Sequence, residues 1–295
     1  ADPDRAPGRT PAGAVARPLR WDAMNDAAVR AHLERDRASS VLGYPRIGRR
    51  RELKRALERY WHGDGTAAEL RAVGRRIRES TWDDLRARGL TQLPGNTFSF
   101  YDHVLDDALL MGAVPGRFRR HVEGLDPLDL QFALARGRAD VPPLELVALQ
   151  GTPYHYRQPE FEDSSPLGLR PDELLAEVAR AHELGLEIRP VVTGPVSLLL
   201  LGKAAPTAAP GFAPLALLDR LLDQYEALLG VLADAGVVCV QFDEPCMTME
   251  RTPFEIGRLH HAYDRLSSVA ERPRILVTGE YGDLGEALPE LAATG

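Results

Sequence analysis

The chain has 295 residues, a formal net charge of −7 and two cysteines, with 44% hydrophobic and 27% charged residues. That composition fits a globular protein with a sizeable core, and the acidic balance argues against a general nucleic-acid binder. No run reaches the ~18 apolar residues of a membrane span, and two cysteines make no disulfide framework, so a reducing, cytoplasmic setting is expected.

The first 20 residues, "ADPDRAPGRTPAGAVARPLR", are rich in Ala, Pro and Arg and lack the apolar stretch of a signal peptide. Residues 1–38 are read as a flexible arm ending in a short helix over 26–36. From residue 39 to 295, short apolar runs alternate with amphipathic ones. "SSVLGY" (39–44) is a strand candidate. The helix after it places Leu53, Ala56, Leu57, Tyr60 and Trp61 on one stripe. A second helix over 66–90 opens with Thr66 and Glu69 in capping-box spacing, and Gly89 suits its end. A weak strand follows in "TQLPGNTFSF", then helices over 101–112 and 127–137 and a strand over 144–150. Helices over 173–186, from about 217 and over 254–268 alternate with strands over 187–195, 237–242 and 274–279, before a last helix in "LGEALPELAATG".

This alternation predicts a parallel α/β architecture of the (β/α)8 TIM-barrel type. With six strand candidates where eight are needed, the barrel is expected to lack its last one or two β/α units in this chain.

Three features could carry chemistry. The first is "VLGYPRIGRRRELKRALERYW" (41–61), where Arg46, Arg49, Arg50, Arg51, Lys54 and Arg55 crowd a predicted strand-to-helix turn with only Glu52 among them. Cations in a helix's first turn oppose its dipole. An anion held there would reverse the penalty, and a solvated basic face is the alternative. The second is "VQFDEPCM" (240–247), where Asp243 and Glu244 end a buried strand at the barrel mouth. Neighbouring strand residues point to opposite sides, so the two are no ready-made dyad. Binding of a substrate amine or NH-rich ring competes there with a structural ion pair. The third is His155, in "YHYRQPEF" (154–161), in a loop after a strand; a hydrogen-bonded structural role competes with catalysis. His260 and His261 diverge on their helix, and Cys239 and Cys246 lack zinc-ligand spacing, so no metal site is expected in this chain. Phosphate-loop, dinucleotide and serine-hydrolase motifs are absent from the sequence.

Taken in order, "LGYPRIGRRRELKRALERYW", "FSFYDHVLDDALLMGAVPGRF", "RGRA", "YHYRQPEF", "VVTGPVSLLLLGK" and "VQFDEPCM" resemble the N-terminal barrel of cobalamin-independent methionine synthase, over roughly residues 40–295. The resemblance implies methyl transfer from 5-methyltetrahydropteroyl-polyglutamate to homocysteine. Zinc, the cofactor of that reaction, is implied only for a C-terminal barrel or a partner. The family's Arg-Glu-Leu-Lys segment, linked with the polyglutamate tail, falls on Arg51, Glu52, Leu53 and Lys54, with Arg46, His155, Asp243 and Glu244 as further barrel-mouth candidates. In one stretch the chain departs from the pattern: the family's Met-Thr-Lys-Trp-Phe reads "LVALQ" (146–150), so Ala148 replaces a folate-contacting lysine and Leu149 a tryptophan. The expected partners are a folate or other small anionic ligand and a core methionine-synthase-like catalytic chain, with no nucleic acid or membrane. A non-catalytic scaffold and a diverged enzyme acting on another small anion are the alternatives.

Overall fold

The computed structural model describes residues 39–149 and 152–294. The helix expected over 26–36 lies outside the described residues. Strands β1 (Leu93–Gly95), β5 (Ile188–Thr193), β7 (Cys239–Asp243) and β8 (Arg274–Thr278) form a parallel four-stranded sheet in the order β1-β5-β7-β8. Two small sheets flank it: an antiparallel hairpin of β2 (Leu146–Ala148) and β3 (His155–Arg157), and a parallel pair of β4 (Glu160–Phe161) and β6 (Lys203–Ala204). The helices are α1 (Glu52–His62), α2 (Ala67–Ala87), α3 (His103–Leu110), α4 (Arg119–Val122), α5 (Pro127–Arg136), α6 (Asp172–Glu183), α7 (Pro195–Leu200), α8 (Leu218–Asp234), α9 (Pro253–Ser267) and α10 (Ala287–Ala292).

The predicted α/β class with a parallel sheet is what the chain forms, but pairing among the described residues leaves the sheet open rather than closed into a barrel. Two strand expectations are corrected. Residues 39–44 form no strand. The buried Arg189 of β5 donates to Ser40 Oγ (2.7 Å) and to the Val41 carbonyl (2.8 Å), and Gln241 of β7 donates to the Leu42 carbonyl (3.4 Å). Arg189 and Gln241 share one face of the sheet, so these side chains draw the segment across that face instead of adding it to an edge. The run over 144–150 does form a strand, but it turns back into the β2–β3 hairpin and stays out of the main sheet. The face carrying Leu146 and Ala148 is exposed and Val147 on the other face is half-buried, which suits a hairpin rather than a parallel strand buried on both faces.

The core sits between the other sheet face and the helices. Val192, Val240 and Phe242 meet Leu221, Leu222 and Tyr225 of α8, all buried, with the Tyr225 and Phe242 rings edge-on at 5.3 Å. The apolar stripe of α8 follows the 3.6-residue period, and its burial there provides most of the reason for it to be a helix. Helix α2 starts at the expected capping box: Thr66 accepts from the Glu69 amide, and Glu69 accepts from the Thr66 amide in return. Strands β1 and β5 are buried throughout, while β8 is half exposed.

Candidate ligand site at the strand ends

The carboxyl ends of β1, β5, β7 and β8 bring together a polar cluster. Asn96, the residue after β1, donates to the Val191 carbonyl (2.8 Å) and to Asp107 Oδ1 (3.3 Å). Asp107 Oδ2 accepts from both the amide and the hydroxyl of Thr193, each at 2.7 Å. His103 Nε2 lies 3.3 Å from the same oxygen, within ion-pair range but off hydrogen-bond geometry. Burial raises the Asp107 pKa; His103 and the Thr193 bonds oppose the rise, and Asp243 adds to it. Across the sheet, Asp243 accepts from Gln241 Nε2 (2.6 Å) and from the Thr278 hydroxyl. Beyond β8, half-buried Glu280 is raised by burial and then by the Asp243 charge. Carboxylates from three elements thus face one another with His103, an arrangement suited to holding a donor-rich or cationic group.

Glu244 is a different case. It is fully buried on the opposite side of the sheet, where it accepts from the amides of Ser197 (2.7 Å) and Val196 (3.3 Å) and from Tyr263 Oη (2.9 Å). Its carboxylate closes the N-terminus of α7. Burial pushes its pKa up to about 7, opposed mainly by Ser197. Gly194 makes this possible, because a Cβ there would lie 2.3 Å from Glu244 Oε1. The adjacent carboxylates therefore divide as strand alternation requires, Asp243 toward the cluster and Glu244 into a structural joint.

Of the basic stretch, Arg46 reaches the loop that leaves β1. Arg46 donates to the Ser99 carbonyl (2.7 Å) and to that of Tyr101, both in the loop that leaves β1. Its charge also opposes the burial-driven rise of Asp102, which reaches about 6, and of Asp106, which lies well above the carboxylate range. The remaining cations spread out. Arg49 pairs with Asp84 on α2, Lys54 stands 3.7 Å from Glu58, and Arg55 donates to the Arg50 carbonyl.

Within the Arg51–Lys54 segment, the four residues do separate jobs. Arg51 adopts a left-handed conformation (φ 59°) just before α1, and among the described residues its exposed side chain has no hydrogen-bond or ion-pair partner. Glu52 accepts from the Arg50 amide (2.8 Å), which is the first cause of its lowered pKa. Leu53 is 1% exposed in a core cluster with Leu57, Leu70 and Phe132. Lys54 is exposed.

His155 stays apart from the strand-end cluster. It is exposed on β3, cross-strand from Ala148, with its Nδ1 3.0 Å from the Pro153 carbonyl. Sequence reasoning missed Asn96, Asp102, Asp106, Asp107, Thr193 and Glu280. Three aspartates in the apolar run "YDHVLDDALL" were the available signal, since buried acids need dedicated partners.

For a metal, no group of three His, Cys, Asp or Glu side chains among the described residues is placed to hold one. Cys239 and Cys246 are both buried; the Cys239 sulfur lies 3.9 Å from the Val240 carbonyl, that of Cys246 4.0 Å from the Ser197 carbonyl. These thiols do not fit a zinc site. No helix among the described residues is long and apolar enough to cross a membrane.

Residues 38–295 match the family profile of the cobalamin-independent synthase N-terminal domain. The chain belongs to this family. A 5-methyltetrahydropteroyltriglutamate–homocysteine methyltransferase of Rhodococcus jostii is 48% identical over 258 residues, 87% of this chain and 33% of that protein. Its namesake in Streptomyces avermitilis is 45% identical over 254 residues, covering 86% and 33% respectively. This member of the cobalamin-independent synthase family thus spans a third of the length of those relatives. A solved B12-independent methionine synthase from Shewanella sp. W3-18-1, in complex with selenomethionine, superposes on 77% of this chain and 57% of its own at TM-score 0.47 and 13% identity. The family assignment rests on the sequence matches.

Proposed function

We propose that residues 39–295 act as the folate-side barrel of a cobalamin-independent methionine synthase in the cytoplasm. In this reading the barrel is completed by β/α units beyond those described here. The methyl donor is 5-methyltetrahydropteroyl-polyglutamate, and its glutamate carboxylates meet Arg51 and Lys54 at the start of α1. Zinc and the homocysteine thiolate belong to a C-terminal barrel, on the same polypeptide or on a partner chain; among the described residues Cys239 and Cys246 are buried and stand in no metal-holding group. The single observation that carries the reading is the 48% identity over 87% of the chain to a protein named for that reaction.

Two local features support the tail-binding role. Arg51 holds a left-handed backbone, a strain of about 1–2 kcal/mol for a residue with a side chain, and such strain gathers at sites where positioning matters. Glu52, the acid amid the cations, is occupied by the Arg50 amide, leaving Arg51 to an outside anion. The barrel-mouth cluster of Asp107, Asp243 and His103 faces the donor-rich end of the same ligand. His155 and Ala148 pair on the hairpin, where the missing lysine removes one cationic contact.

Calorimetric titration with methyltetrahydrofolate bearing one or three glutamates tests this. The triglutamate should bind more tightly, and the double change Arg51→Ala, Lys54→Ala should erase the difference, about tenfold for two lost charge contacts. Binding indifferent to glutamate number, or to the double change, would overturn the tail-binding role.

A further inference from the structure

The turn that leads into α1 closes its own backbone. Gly48 takes a left-handed conformation (φ 80°), and its carbonyl accepts from the Arg51 amide (3.3 Å). The Leu53 amide turns back to the Ile47 carbonyl (3.4 Å), and Arg55, one turn into the helix, donates its guanidinium to the Arg50 carbonyl. The carboxylate of Glu52 folds into this turn and accepts from the Arg50 amide (2.8 Å) and from its own. Gly48 makes the room: a Cβ there would stand 2.4 Å from Glu52 Oε2.

The positive end of α1 is therefore already met by a carboxylate of the chain itself, and the amides of Arg50, Arg51 and Leu53 are taken up within the turn. An anion arriving here is left with side chains. Glu52 is a poor contact for it, because one carboxylate repels another and this one is occupied. What Glu52 supplies is shape. Its side chain grips the amide of Arg50 while its backbone follows Arg51, so the left-handed Arg51 (φ 59°) is bracketed from both sides. A strained backbone of this kind persists only where its surroundings hold it. The bracket fixes the point from which the exposed Arg51 guanidinium extends.

We propose that Glu52 is a positioning residue for the glutamate tail and not a contact to it, holding Arg51 in its left-handed conformation with Gly48 making the space. This rests on the tail-binding reading above and refines it: Arg51 and Lys54 meet the tail, Leu53 anchors the helix, and Glu52 sets the aim of Arg51.

Calorimetry of this chain with methyltetrahydrofolate bearing one or three glutamates tests the assignment. Glutamine keeps an oxygen for the Arg50 amide and removes the negative charge, so Glu52→Gln should leave the preference for triglutamate at or above that of the unaltered chain. Glu52→Ala removes the acceptor and should lower the preference about fivefold, the scale of one hydrogen bond. Gly48→Ala should lower it too, and the two alanine changes together should lower it no further than the larger of them alone, because both break the same contact. No loss in Glu52→Ala or Gly48→Ala, a loss in Glu52→Gln as large as in Glu52→Ala, or losses that multiply in the double variant would each overturn the inference. The tail-binding reading survives any of these where the unaltered chain prefers triglutamate and Arg51→Ala with Lys54→Ala erases the preference. An unaltered chain indifferent to glutamate number overturns both.

Discussion

Leu53 and Lys54 are neighbours in one motif, yet their energetic roles are opposite. Leu53 is sealed among Leu57, Leu70 and Phe132, so Leu53→Ala should cost about 2–4 kcal/mol in chemical denaturation. Lys54→Ala, exposed and loosely paired with Glu58, should stay within about 0.5 kcal/mol. A motif defined by identity thus divides into one residue that holds α1 down and others that face outward. Glu244 shows the same separation by pH. Its folded pKa, about 7, lies above the ordinary 4.5, so the folded state binds the proton more tightly than the unfolded one. Its contribution is fully present below pH 4.5 and is lost as pH rises through 7, roughly 3 kcal/mol in all. Glu244→Gln should flatten the fall in stability between pH 5 and pH 8; an unchanged slope would assign it to another group, such as Asp102, whose pKa of about 6 has the same sign.

Among the elements, α9 offers the cleanest local test. Thr252 accepts from the Glu255 amide and Glu255 accepts back from the Thr252 amide, with Pro253 at the first helical position. Thr252→Ala should lower stability by about 1 kcal/mol, read as a shift in denaturation midpoint at constant slope. Caps and long amphipathic stripes are short-range signals, which is why α2, α8 and α9 were legible in the sequence to within a few residues. The buried runs of β5 and β7 were legible for the same reason. Helix α7 was missed because "PVSLLL" is apolar on every side, and its N-terminus is closed from a distance by Glu244. The cluster at the strand ends was half legible. Asp243 announces itself at the end of an apolar run, whereas Asp107 depends on Thr193, 86 residues away, and no local pattern predicts that meeting.

At the scale of the whole molecule, the family's architecture was readable from ordered motifs, while sheet closure was not, since strand partners separated by most of the chain leave little local trace. Arg189 is the feature that reaches furthest. It is 2% exposed, its guanidinium contacts Ser40, Val41 and Gln92, no carboxylate among the described residues is bonded to it, and burial lowers its pKa. A cation kept in the interior by neutral oxygens works as a latch: it fastens the stretch that carries Arg46 and Arg51 to a strand residue 149 positions downstream of Ser40. Undoing it with Arg189→Met should let that stretch lift away, so trypsin would nick the chain after Arg46 or Arg49 about tenfold faster, given roughly 1.4 kcal/mol from the lost bonds. The placement of the basic stretch and the integrity of the sheet would then decline together, because one buried side chain ties the two.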